Sequence, residues 1–215
     1  MNHIAYGELS ALAPAHRPNQ RAMAKQRTRE KVIAAAKRLF SERGYERSTI
    51  RDIAKEAGMS TGAVFASFTD KSDLFVEIAE AEQAELSRLM TAAAIGHAGR
   101  AALTAMLEAA AERQLRELAL VQAVMSALWT PGLSEKVRRR LDRRPIAALL
   151  KGAIGEDLGL GDETVGLDPA VLAEILWDGY ISMVRRAAAN NLPLKTLKAQ
   201  IGDLVATVLA GARRP

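Results

Sequence analysis

The sequence predicts an all-helical protein. Alanine and leucine dominate its composition, β-branched runs are scarce, and apolar residues recur at i, i+3, i+4 and i+7 along successive stretches. About nine helices are expected, in two parts: a compact N-terminal domain over residues 25–75 and a larger helical domain over 76–215, preceded by an extension over 1–24. At 215 residues and 49% hydrophobic, the chain can bury a core in one or two domains. No apolar run approaches the roughly 18 residues a membrane helix needs, so no membrane partner is expected. No arginine-led apolar segment opens the chain, so no signal peptide is expected and a cytoplasmic location is. With no cysteine, disulfides, thiol redox sensing and zinc–cysteine sites are excluded. His3, His16 and His97 lie far apart and form no ligand pattern, so neither metal nor cofactor is expected.

The net charge of +5 is unevenly placed. Residues 1–75 carry 13 Lys/Arg against 8 Asp/Glu, whereas residues 76–215 carry 17 against 17. All the excess positive charge therefore sits on the N-terminal part, as a polyanion partner would require, because neutralising phosphates releases counterions.

In chain order, Pro14, Pro18, Asn19 and Gln20 break any helix, so residues 1–24 read as a flexible extension. His16, Arg17, Arg21, Lys25 and Arg27 make it a sparse basic arm, able to follow a minor groove or simply to be a solvated tail. A first helix over 28–43 carries the stripe Val32, Ile33, Ala36, Leu39 and Phe40, and Gly44 stops it. Thr49 caps a second, with Asp52 three residues on, Ile50, Ile53, Ala54 and Ala57 on one face, and Gly58 at its end. Ser60 caps a third, short helix with Val64 and Phe68 pointing inward. Asp70 caps a fourth over 71–92, with Asp73 in its first turn. Glu77, Glu80, Glu82 and Glu85 on this long helix would repel DNA, so it must lead away from any nucleic acid.

Gly96 and Gly99 mark a break. Helices over 100–118 and 119–129 follow, then a turn at Thr130, Pro131 and Gly132. Ser134 is expected to cap a basic helix whose run over 136–144 reads as a solvated face, having no aromatic residues to stack bases. Pro145 either kinks this helix or starts a new one. Residues 155–167 read as a polar, glycine-rich connection. Asp168 and Pro169 supply N-cap and first position of a helix reaching 189, Asn190 to Pro193 end it, and a last helix over 194–211 carries Leu194, Leu197, Ile201, Leu204, Val205, Val208 and Leu209.

A helix, a tight glycine turn and a second short helix make the helix-turn-helix plan, in which the second helix lies in the major groove. Residues 29–75 resemble the DNA-binding domain of the tetracycline-repressor (TetR) family. The resemblance rests on the Val32, Ile33, Ala36, Leu39 and Phe40 face; on Gly44 and Tyr45; on Thr49, Ile50, Asp52, Ile53 and Ala54; on Ala57 to Ser60; and on Gly62, Phe65, Phe68, Lys71 and Leu74. It implies a recognition helix over 61–67 with Thr61, Gly62, Ala63, Phe65, Ala66 and Ser67 toward the DNA. Phosphate contacts are expected from Arg47, Ser48, Thr49, Arg51 and Lys71. The sequence departs from the family where tyrosine is usual at Phe65, threonine at Ala63, and histidine or tyrosine at Ala66 and Ser67. The helix is poor in hydrogen-bonding groups, so affinity should lean on phosphates and sequence preference on DNA shape.

The resemblance further implies a homodimer on double-stranded, palindromic DNA, with Leu172, Leu176, Gly179, Leu197, Ile201, Leu204 and Val208, together with Ile175 and Met183, forming a four-helix seam. It implies a pocket for an unidentified small-molecule effector, with Met106, Gln122, Met125, Trp129, Trp177 and Tyr180 as liners and His97, Arg113, Ser126 and Asp178 as further polar candidates. The expected function is a ligand-responsive, sequence-specific transcriptional regulator, a repressor released from its operator by a small molecule. The alternative is a DNA-binding activator or architectural protein without an effector. An enzyme is not expected, since the chain has no nucleophile elbow, phosphate loop or Glu-x-x-His pair.

Overall fold

A computed structural model describes residues 20–127, 130–140, 144–158 and 168–212. The arm residues His16 and Arg17, the pocket candidate Trp129 and most of the 155–167 connection lie outside the described residues. Within them the chain forms ten helices: α1 (Gln20–Arg43), α2 (Ile50–Glu56), α3 (Thr61–Phe65), α4 (Lys71–Ala94), α5 (Gly99–Arg116), α6 (Leu118–Ala127), α7 (Leu133–Arg140), α8 (Arg144–Leu158), α9 (Pro169–Ala189) and α10 (Leu194–Ala212). No helix among them is long and apolar enough to cross a membrane.

Three boundaries differ from the sequence reading. The first helix starts at Gln20, not at 28. No proline follows Pro18 until Pro131, and Ala22, Ala24, Lys25 and Gln26 are strong helix formers, so the helix extends without burying anything there. Pro145 stands in the first turn of α8, where its missing N–H costs nothing, so it opens a separate helix and the count rises from nine to ten. That helix also runs on to Leu158, through Gly155.

Two apolar clusters organise the molecule. Val32, Ala36, Leu39 and Phe40 of α1 pack with Ile53, Val64, Phe68, Leu74 and Phe75 to form the headpiece core. Phe75 meets Phe40 edge-on at 5.4 Å and Tyr45 at 4.9 Å, both geometries aromatic rings favour. Leu120, Ala123 and Ala127 of α6 and Leu133 and Val137 of α7 belong to this same cluster, although they come from the C-terminal part of the chain. The second cluster joins the far end of α4 to α5, α8, α9 and α10. Helix α5 has no capping side chain of its own at Ala98. Its first amides instead donate to the end of α8, Gly99 N to Glu156 at 3.3 Å and Arg100 N to Asp157 at 3.0 Å. A Cβ at Gly99 would stand 3.0 Å from the Asp157 Cα, so glycine permits this approach.

Helix α4 runs from one cluster into the other, and its acids are engaged rather than solvated. Glu77 pairs with Arg29 of α1, Glu80 with Arg140 of α7, Glu82 with both Lys37 of α1 and Arg113 of α5, and Glu85 with Arg88. The basic run at 136–144 is therefore not simply a solvated face. Lys136 reaches Asp70 Oδ2 at 2.9 Å and Asp73 Oδ1 at 2.9 Å, docking α7 on the start of α4. Partial burial pushes the Asp70 carboxyl up, but the Ser72 hydroxyl, Lys136 and the Asp73 amide outweigh it and hold the group at about 2. A depressed carboxyl contributes its stabilisation above its unfolded value near 3.9 and loses it as pH falls toward the folded value. The docking of α7 is thus expected to be constant from about pH 5 upward and to loosen only between about 4 and 2. Hydrogen exchange of the α7 amides over that range checks this.

Candidate nucleic-acid interface and ligand cavity

The headpiece presents two capped helices at a fixed angle. The Thr49 hydroxyl accepts from the Asp52 amide at 3.1 Å while Asp52 accepts from the Thr49 amide at 3.1 Å, so two free N–H groups at the α2 start are satisfied reciprocally. Gly58 turns the chain with φ +68°, and Met59 N donates to Ala54 O at 2.8 Å, closing the α2 end. Ser60 Oγ then accepts from Ala63 N at 3.2 Å and starts α3.

Only five residues long, α3 is held by its anchors. Val64 and Phe68 are buried in the headpiece core. The Arg29 guanidinium lies 4.4 Å above the Phe68 ring, donates to Ser67 O at 2.8 Å and pairs with Glu77. Arg29 thus clamps α3 between α1 and α4, a role not legible in the sequence because its partners lie 38 and 48 positions away.

The outer face of α3 carries Thr61, Gly62, Phe65 and Ala66 exposed, with Ala63 and Ser67 half-buried. Phe65 is 55% exposed, which core packing does not explain. At Gly62 an added Cβ would meet nothing nearer than Ser60 Oγ at 3.8 Å, and the backbone is not left-handed. The fold does not require glycine there; a close surface outside the chain would. Gly62→Ala is expected to leave the protein as stable or up to about 1 kcal/mol more so. It should weaken DNA binding by about tenfold, since the methyl holds the helix off the groove. Thermal unfolding beside a DNA titration checks both signs.

Arg47 and Arg51 are exposed and form no ion pair among the described residues, which leaves them available to phosphates. Thr49 is also exposed, at the α2 start. Two expected phosphate contacts are placed otherwise. Ser48 is wholly buried, its hydroxyl donating to Gly44 O at 2.9 Å, so it braces the α1–α2 turn rather than reaching outward. The Lys71 ammonium donates to Tyr45 O at 2.9 Å and sits 4.0 Å over the Tyr45 ring. Burial pushes it below the ordinary lysine value, opposed by Glu46. Lys71 ties the same turn to α4.

The second site is a cavity of about 480 Å³ between α4, α5, α6, α8 and α9. Its apolar walls come from Leu86, Val121, Val124, Met125, Ile146, Leu150 and Ile181, its aromatic surface from Trp177. Met125, Trp177, Arg113 and Asp178 line it as the sequence reading expected. Tyr180 does not: it is fully buried and its hydroxyl donates to Gln114 Oε1 at 2.7 Å. Burial pushes that phenol well above its ordinary value, so it stays a neutral donor. Gln114, which does line the cavity, is thereby oriented. Met106 is spent in the α5 core and Gln122 faces solvent. Glu82, Gln83, Glu117 and Glu174 complete the polar lining and were not foreseen. No local pattern could have named them, because five helices separated in sequence bring them together.

Helix α6 serves both sites. Leu120, Val121, Val124 and Met125 line the cavity, while Leu120, Ala123 and Ala127 pack in the headpiece core. One wall of the cavity is therefore also a support of the headpiece.

The expected dimer seam is corrected in part. Leu172, Leu176, Leu197 and Ile201 are buried within their own chain. Gly179 lets α9 approach α10 in the same chain, since its Cβ would stand 3.1 Å from Leu204 Cδ1. The apolar surface left on these helices is Val171 and Ile175, 45% and 50% exposed, beside the half-buried Met183, Leu204 and Val208.

Fold and sites together define a helix-turn-helix headpiece on a helical domain that holds a cavity. Residues 32–78 match the family described as bacterial regulatory proteins, tetR family. The chain is 42% identical over 64 residues to the HTH-type transcriptional regulator AcrR of Shigella flexneri, a stretch covering 30% of each protein. It is 28% identical over 198 residues to the HTH-type transcriptional repressor AcnR of Corynebacterium efficiens, covering 87% of this chain and 94% of that one. Its fold is similar to that of FadR from Bacillus subtilis, solved in complex with stearoyl-CoA, with a TM-score of 0.69 at 19% identity over 86% of this chain and 99% of that one.

Proposed function

We propose that the protein is a ligand-responsive, sequence-specific DNA-binding transcriptional regulator of the TetR type, a repressor that a small molecule releases from a palindromic operator. The observation that carries this reading is the double use of α6, one face lining the cavity and the other packed in the headpiece core. A ligand that fits the cavity better with α6 displaced favours a headpiece position that no longer suits the operator, and coupling requires only that difference in affinity. The basic, cap-ordered headpiece and its family match support DNA as the partner. The names of the similar proteins, regulators and repressors, support a role in transcription rather than catalysis.

In this reading the domain division falls after residue 75, and the protein acts in the cytoplasm as a homodimer. Val171, Ile175, Met183, Leu204 and Val208 are the apolar surface available to a partner on α9 and α10. DNA contacts come from Arg47, Thr49 and Arg51 to phosphates and from Thr61 to Ser67 in the groove. The cavity, a feature DNA binding alone does not need, favours an effector over the ligand-free alternative.

Selection of bound duplexes from a random-sequence pool, at moderate salt, tests the proposal. A two-fold symmetric consensus is expected. Recovery of sequences no different from the starting pool would overturn it.

A further inference from the structure

Resting on the reading of the cavity as an effector site, we infer that its ligand is an amphipathic organic cation, an alkyl or aryl ammonium rather than an acyl-CoA or a fatty acid. Among the described residues, four carboxylates line the cavity, Glu82, Glu117, Glu174 and Asp178, against the single cation Arg113. That cation is already committed. Its terminal nitrogens lie 2.5 Å from Glu82 and 3.2 Å from Glu117, and Glu82 is further paired with Lys37. What remains of Arg113 is the Nε–H, buried and without an acceptor among the described residues, a donor suited to one neutral oxygen. An anionic headgroup there would have to displace two carboxylates from their partner.

The α9 side of the lining has the opposite deficit. Glu174 and Asp178 are four apart on α9, hence on one face, and neither has a basic partner among the described residues. Trp177, from the same helix, lines the cavity with them. Carboxylates and an indole lining one cavity can attract a cation twice, through charge and through the ring quadrupole. Leu86, Met125 and Leu150 offer an apolar floor for the rest of such a molecule. An acyl-CoA such as the one bound by FadR of Bacillus subtilis carries phosphates, the wrong sign for this wall.

The test is calorimetric titration of the full-length protein with decyltrimethylammonium, decanoate and decanol, three probes of one chain length, below their aggregation concentrations. The cation is expected to bind about tenfold or more tightly than decanoate. In the Glu174→Gln, Asp178→Asn double variant its advantage over decanol should disappear. Both positions are exposed, and an unchanged unfolding temperature establishes that the variant is folded. Decanoate binding as tightly as the cation, or an unchanged advantage in the double variant, would overturn the charge inference while decanol binding still upholds the cavity. Failure of all three probes would overturn this inference and the effector site together, and leave the DNA-binding reading to its own selection experiment.

Discussion

Replacing Arg47 and Arg51 together with alanine is expected to weaken operator binding by about 100-fold at moderate salt and to flatten its salt dependence. The two guanidiniums flank the α2 start, are exposed and have no acid partner among the described residues. A charge-assisted contact contributes about 1.5–3 kcal/mol, so each loss amounts to roughly tenfold or more. Each phosphate released also lowers the slope of log affinity against log salt by about 0.9, so the pair should lower it by about 1.8. Stability should move by less than about 0.5 kcal/mol, because neither side chain packs against the core. Ser48→Ala is the contrast. Its hydroxyl is buried and bonded to Gly44 O, so the variant should lose about 1 kcal/mol of stability and keep the salt slope. Fluorescence anisotropy across a salt series, with thermal unfolding of both variants, reads these effects apart.

Leu120→Ala is expected to destabilise the protein by about 2–4 kcal/mol and to loosen the headpiece selectively. Leu120 is buried on α6, packed in the headpiece core on one side and lining the cavity on the other. Truncating it opens a void that α1 and α6 share. The amides of α1 from Val32 to Phe40 should therefore exchange faster, while those of α10, whose Leu197, Ile201 and Val205 pack in the other cluster, should not. Equal acceleration in both regions would mean that α6 is only a part of a common core, not a support particular to the headpiece.

What the sequence made legible is what local chemistry decides. Thr49, Ser60, Asp70 and Asp168 each accept from an amide two or three residues on, so the starts of α2, α3, α4 and α9 could be read directly. Gly44 and Gly58 adopt positive φ where a helix must stop, and Val64 and Phe68 point inward as their spacing required. Roles set by distant partners were not legible. Arg29, Ser48 and Lys71 look like surface polar residues beside a basic motif, yet each is held by a backbone carbonyl. The same limit applied to α9 and α10. Periodicity marks an apolar face but not whether its cover comes from the same chain, and Leu172, Leu176, Leu197 and Ile201 are covered from within. For the cavity, Trp177 and Met125 could be picked by size, whereas Gln114 depends on a hydrogen bond from Tyr180, 66 positions away.

The most direct measurement is a footprint of the purified protein on the DNA flanking its own gene, at moderate salt with excess competitor DNA. A protected palindrome of about 15–20 base pairs, the span of two half-sites roughly one helical turn apart, is the result expected of a dimeric regulator. Protection that the competitor abolishes everywhere, with no two-fold symmetric segment surviving, would contradict it.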